Sequence, residues 1–221
     1  MWPGPSLPRM NRGVAIDPTA ARLKDIAGVQ RVPSPRLDLF VLRHFIDPAS
    51  CQALCALIDA DRRPSTLADD EGTASFRTSE TCDLDRGHAL VARVQSQLAD
   101  LTGIPLTHAE PLQGQRYAAG QEFRAHTDTF NPGGADYFIH CAEAGQRSWT
   151  AMIYLNQPDE GGATRFKAIG KTVQPETGKL LLWNNLLPNG RPNEATLHQG
   201  LKVRRGVKYI LTQWYRQRPL R

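Results

Sequence analysis

Hydrophobic positions along the chain change their period once, and the change divides it into a helical part and a strand part. Between residues 47 and 103 apolar side chains recur at three- and four-residue spacing. Leu54, Cys55 and Ile58 line one face of a predicted helix, which Asp47 and Pro48 open as N-cap and first-turn proline. Leu90, Val94, Leu98 and Leu101 line one face of a second helix over residues 88–101, stopped by Gly103. Ahead of both, residues 37–46 alternate and are rich in branched and aromatic side chains, so they predict a strand. After Gly103 the apolar runs become short and alternating, near 111–118, 123–125, 148–155, 163–166, 179–183, 195–198 and 207–214, with Gly, Pro and Asn between them. Strands following two helices predict a mainly β fold, a double-stranded β-helix of the jelly-roll or cupin-like kind, braced by helices on one side. Such a barrel can hold a metal and a small acid between its sheets.

Two stretches lack this periodicity. Residues 1–36 carry Pro3, Pro5, Pro8, Pro18, Pro33 and Pro35 and read as an N-terminal arm, with a short helix over 19–27. The domain then runs over 37–221. Residues 61–80 are polar apart from Phe76 and read as a mobile loop, of the length that substrate lids have.

Composition narrows the picture without changing it. At 221 residues the chain suits one barrel domain. No run reaches the length of a membrane span, and MWPGPSLPRMNRG lacks the basic-then-apolar order of a secretory signal, so a cytoplasmic protein without membrane contact is expected. Cys51, Cys55, Cys82 and Cys141 form no CxxC pair and read as structural thiols. The net charge is +5 and the pI near 9.2. Its densest part is Lys202, Arg204, Arg205 and Lys208 with Arg216, Arg218 and Arg221. Aromatic side chains for base stacking are not interleaved with these charges, so nucleic acid is disfavoured as a partner.

The candidate chemistry is in the strand region. His126 and Asp128 stand at i and i+2, a spacing that turns both to one side of a strand. A lone His-x-Asp is common at polar strand edges. Here His198 follows on a distant predicted strand, and Lys208 follows ten residues later. Two imidazoles and one carboxylate leave open positions on a metal, which is what non-haem Fe(II) requires for O2 and a cosubstrate. Lys208 lies in the alternating run Gly206–Leu211 and can supply a cation to the far carboxylate of 2-oxoglutarate. Arg204 and Arg205 are second choices, placed as turn residues before Gly206.

From about Phe76 to Tyr215 the chain resembles the prolyl 4-hydroxylase branch of the Fe(II)/2-oxoglutarate-dependent dioxygenases. The matching stretches, in order, are Arg77-Thr78-Ser79, Gln115-Arg116-Tyr117 with Gly120-Gln121, His126 to Phe130, Gly145-Gln146-Arg147 with Thr150, Tyr154-Leu155-Asn156, Glu160 to Phe166, and Leu197-His198 through Gly206-Val207-Lys208-Tyr209 to Trp214. The resemblance implies Fe(II) on His126, Asp128 and His198, with 2-oxoglutarate and O2 as cosubstrates and ascorbate as reductant. It implies cosubstrate contacts from Lys208, Tyr117, Tyr154, Thr150, Thr164 and Trp214, and substrate contacts from Arg77, Ser79 and Arg147. The implied reaction inserts one oxygen atom into a C–H bond of a protein or peptide prolyl residue, releasing succinate and CO2. The same chemistry on a free amino acid or other small metabolite is the alternative, and a non-catalytic metal-binding barrel or a nucleic-acid demethylase ranks below both.

Three positions depart from the family pattern. Ala163 stands where an acid is usual, Lys167 where proline commonly follows phenylalanine, and Lys202 where proline precedes valine. All lie outside the iron and cosubstrate sets, so they bear on substrate rather than on reaction type.

Overall fold

The computed structural model describes residues 17–65 and 78–220, apart from the side chains of residues 135 and 136. Arg77, residues 1–16 of the arm and residues 66–77 of the 61–80 loop lie outside the described residues. Two antiparallel sheets make up most of the rest. The larger has eight strands in the order Gln30–Arg31, Leu39–Leu42, Leu180–Asn184, Arg147–Tyr154, Lys208–Arg216, Gln113–Tyr117, Glu80–Asp83 and Arg63–Pro64. The smaller has four, in the order Lys171–Val173, Thr164–Phe166, His198–Gly200 and Phe123–His126. A two-stranded ribbon pairs Val203–Arg205 with Glu160–Gly161.

Period-two alternation sorts the long strands between two cores. On Arg147–Tyr154 the side chains of Trp149, Ala151 and Ile153 join the core that also contains Leu54 and Ile58 of the helix Pro48–Ala60 and Val91, Val94 and Leu98 of the helix Ala89–Thr102. Met152 and Tyr154 join the second core, with Tyr117, Phe166, Leu181, Trp183 and Ile210. Each fully buried Leu, Ile or Phe contributes roughly 2 kcal/mol by leaving water. The close seam is at Gly114, where a Cβ would overlap Ile58 Cγ1, so the Ile58 side chain packs directly on the strand backbone.

The helix ends follow from local chemistry. The Asp47 carboxylate accepts from Ser50 N at 2.9 Å with Pro48 in the first turn, and Gly103 ends the other helix in a left-handed conformation at φ 73°. Cys51 rather than Cys55 is fully buried on the first helix, beside Leu54 and Ile58. On the second, the buried face is Val91, Val94, Gln95, Leu98 and Thr102, with Leu90 and Leu101 on its half-buried flank. An apolar periodicity misses this rotation because two of the buried residues are polar and satisfied. Gln95 donates to Gln213 of the large sheet at 2.8 Å, and Thr102 donates to Leu98 O at 2.7 Å.

Other differences are local. The first long predicted strand shortens to Leu39–Leu42 because the chain turns at His44, whose φ is 56°. Residues 194–196 form a 3-10 turn with Asn193 as its cap, and the strand begins at His198. The helix Ala135–Cys141 has no counterpart in the sequence reading. Residues 17–36 lie on the domain: Ala20 and Leu23 of the helix Pro18–Lys24 are fully buried, and Arg22 donates to Leu101 O and Asp100 O.

Candidate metal centre

His126 and His198 are direct partners across the two strands that carry them, so their imidazoles stand side by side with centroids 4.3 Å apart. Asp128 follows its strand by two residues and comes to the same place. One ligand atom from each of His126, Asp128 and His198 falls within 4.8 Å of the others. His126 Nδ1 lies 2.8 Å from Arg124 O, and His198 Nδ1 lies 2.9 Å from Thr196 O. A carbonyl only accepts, so each Nδ1 donates and each Nε2 carries the lone pair a metal needs. Phe123 stacks on His126 at 3.6 Å, and Trp183 meets His198 edge-on at 4.9 Å, fixing both rings.

Asp128 is held directly by Thr150, and at one remove by Asn185 and Gln146. Thr150 Oγ1 donates to its Oδ2 at 2.7 Å, and Asn185 Nδ2 donates to Thr150 Oγ1 at 2.8 Å. Gln146 clamps the following turn by a reciprocal pair with Phe130, accepting from its N–H and donating to its carbonyl, both at 2.8 Å. Burial works against ionisation of Asp128, but His198, His126, Arg147 and the Thr150 hydroxyl outweigh it, and the carboxyl stays below the usual carboxylate range. The group is therefore an anion at neutral pH, as a ligand to a dication must be.

His126, Asp128, His198 and Thr150 wall one cavity, and the strand Lys208–Arg216 runs along it, contributing Lys208, Ile210, Thr212 and Trp214 from alternate positions. Lys208 is 1 % exposed. Its Nζ donates to Gly162 O at 3.2 Å and stands 4.3 Å from the Tyr117 ring centroid. Among the described residues no carboxylate pairs with it, and burial pushes its ammonium down to about 7. A buried ammonium of this kind is stabilised by an anion placed beside it.

Of the other expected cosubstrate residues, Tyr117, Thr150, Thr164 and Trp214 line the cavity. Tyr154 does not. Its hydroxyl donates to Thr164 Oγ1 at 2.7 Å and lies 3.2 Å from Val173 O, so it supports Thr164 from the core side. Of the expected substrate residues that are described, neither Ser79 nor Arg147 lines the cavity. Ser79 is buried and its hydroxyl lies 2.9 Å from Ser65 Oγ. Arg147 gives one edge of its guanidinium to Glu110, Nε at 2.8 Å and Nη2 at 2.7 Å, and stacks on Trp214 at 4.0 Å. Burial opposes ionisation of Glu110, but Arg147 and Arg216 overcome it and hold the carboxyl below its usual range. The sequence separation of 37 residues hides this partner.

Sequence reasoning missed Asn185, Gln146 and Glu110, and also Gln115, Thr212 and Met152 on the cavity wall. Gln115 and Thr212 share a 3.2 Å hydrogen bond, and alternation from Tyr117 and Lys208 would have placed both inward. Asn185 carries no such signal. The basic side chains near the end of the chain are largely matched: Lys202 with Glu122, Arg204 with Glu160, and Arg205 with Asp159.

Trp183 Nε1 and Trp214 Nε1 are buried at the cavity wall with no hydrogen-bond partner among the described residues. With two Nε2 lone pairs, one carboxylate and the Lys208 ammonium, the donor set fits a divalent metal beside a small acid.

Comparison with known proteins agrees with this chemistry. Residues 112–216 match the 2OG-Fe(II) oxygenase superfamily. The chain is 32% identical over 199 residues to probable prolyl 4-hydroxylase 3 of Arabidopsis thaliana, covering 79% of this chain and 68% of that protein. It is 31% identical over 147 residues to prolyl 4-hydroxylase subunit alpha-1 of Gallus gallus, covering 66% of this chain and 28% of that longer protein. Among solved structures, the viral collagen prolyl hydroxylase of Paramecium Bursaria Chlorella virus-1, in its 2OG complex, superposes with a TM-score of 0.63 at 26% identity, covering 80% of this chain and 95% of that one.

Proposed function

Because this chain belongs to the prolyl 4-hydroxylase-like 2OG-Fe(II) oxygenases, we propose that it hydroxylates prolyl residues of a protein or peptide. The observation that carries the reading is a single cavity walled by both the His126, Asp128 and His198 cluster and the buried cation of Lys208. Fe(II) with 2-oxoglutarate and O2 supplies an oxidation in which one oxygen atom enters a substrate C–H bond and the other enters succinate, with loss of CO2. The protein binds, orients and excludes water. His126, Asp128 and His198 would hold the metal, the imidazoles through Nε2.

Lys208 pairs with the far carboxylate of 2-oxoglutarate, with the Tyr117 ring against its ammonium and Thr164 beside it on the wall. Ile210, Met152 and Phe123 on the cavity wall would keep that carboxylate out of bulk water, which strengthens the pairing. Ascorbate as reductant and a cytoplasmic location complete the proposal. Both rest on the sequence reading, and an ascorbate-dependence assay and cell fractionation test them.

The main test is incubation with Fe(II), ascorbate, 2-oxoglutarate and a proline-containing peptide library. The expected result is a mass gain of one oxygen on prolyl peptides, matched by stoichiometric succinate. If a free amino acid gains oxygen and the peptides do not, the small-molecule alternative replaces the peptidyl one.

A further inference from the structure

Asn185 follows the strand Leu180–Asn184 and is 0% exposed. Its backbone is fixed on both sides, donating to Ser148 O at 2.8 Å and accepting from Asn193 N at 2.9 Å. Its side chain makes one bond, from Nδ2 to Thr150 Oγ1, while its Oδ1 is buried with no partner among the described residues. A buried amide with an unmatched carbonyl is costly. Leucine would fill the same space without that cost, so stability alone gives no reason for asparagine here.

The reason lies in the single proton of a hydroxyl. Thr150 Oγ1 accepts from Asn185, so its own hydrogen is directed to its other neighbour, Asp128 Oδ2, at 2.7 Å. Without the amide, that hydroxyl is released to other rotamers. With it, Oδ2 is committed to a hydrogen bond, and Asp128 is left with Oδ1, which faces His126 Nε2 at 3.9 Å. A carboxylate with one oxygen engaged in this way offers the metal one ligand atom rather than two, which keeps positions open for other ligands.

We propose that Asn185 is a positioning residue for the metal centre, acting through Thr150 to orient Asp128 as a one-oxygen ligand. The inference rests on His126, Asp128 and His198 holding the metal, and the experiment separates the two. Mn(II), whose unbound fraction is read by electron paramagnetic resonance, serves as the probe for wild type and for His126→Ala, Asn185→Ala, Asn185→Leu, Thr150→Val and the Thr150→Val, Asn185→Leu pair. Thermal unfolding is followed in parallel.

His126→Ala should abolish saturable Mn(II) binding. Asn185→Ala and Asn185→Leu should each weaken it by about tenfold or more, as the loss of outer-sphere partners does. Asn185→Leu should do so without lowering the unfolding temperature of the metal-free protein. On the Thr150→Val background, Asn185→Leu should cause no further loss, because the relay is already cut. Unchanged binding in Asn185→Leu, or a loss that adds in full to that of Thr150→Val, would overturn the role of Asn185 and leave the metal cluster standing. Wild-type affinity in His126→Ala would overturn the metal cluster and this inference with it.

Discussion

At the scale of single residues the site is a balance of buried charges, and each charge predicts its own phenotype. Asp128→Ala should abolish metal-dependent succinate formation while circular dichroism stays that of a folded domain, since Asp128 follows its strand and lines a cavity wall. Lys208 has the opposite effect on folding. Its folded value of about 7 lies below the ordinary 10.5. Between those values the unfolded chain carries a proton that the folded chain has released, so this group makes the ligand-free protein more stable as pH rises through that window. Below it the full desolvation cost is present. Lys208→Met should therefore raise the unfolding temperature of the ligand-free protein at neutral pH, flatten its rise toward alkaline pH, and abolish saturable 2-oxoglutarate binding. Calorimetry in buffers of different ionisation enthalpy should also show proton uptake when 2-oxoglutarate binds the wild type at pH 8, because the arriving carboxylate favours the charged lysine.

Among the elements, the strands that carry the site are backed by the helix Pro48–Ala60, and the two meet at Gly114 against Ile58. Gly114→Ala forces a methyl group into that seam and should cost about 1–3 kcal/mol in urea unfolding. Adding Ile58→Val, which withdraws a methyl group from the same seam, should recover part of the loss. If the two changes add independently, the seam is looser than the geometry indicates.

For the whole molecule, Glu110 ties distant parts of the chain together. It holds Arg147 at the start of one central strand and Arg216 at the end of its neighbour, and Arg147 Nη1 in turn lies 3.5 Å from Asp128 O. Removing the carboxylate leaves two largely buried guanidiniums without a counter-charge, so Glu110→Ala should destabilise the fold by about 3–5 kcal/mol. The Glu110 carboxyl is depressed, so its contribution is present above the ordinary glutamate range and is lost as pH falls through its lower folded value. Arg147→Ala should reduce peptide hydroxylation and uncoupled 2-oxoglutarate decarboxylation together. Loss of hydroxylation alone, with decarboxylation intact, would return Arg147 to the substrate side.

Much of the molecule was legible in the order of its residues. Asp47-Pro48 and Gly103 bounded helices because caps act within a few residues, and alternation placed Lys208 on the inward face because a strand's period is set by its backbone. His126, Asp128, His198 and Lys208 could be singled out because a metal and an anion accept few residue types. What lay beyond the sequence was every relation between residues distant along the chain. That Glu110 binds one edge of the Arg147 guanidinium, and that the Tyr154 hydroxyl reaches Thr164 from the core side, are relations no spacing in the sequence announces. Asn185 had no pattern at all, since one buried amide acting on one hydroxyl leaves no periodicity and no spacing to read. Local propensity and periodicity are written along the chain. The pairing of buried polar groups is decided only when the sheets close and bring those groups within hydrogen-bonding distance.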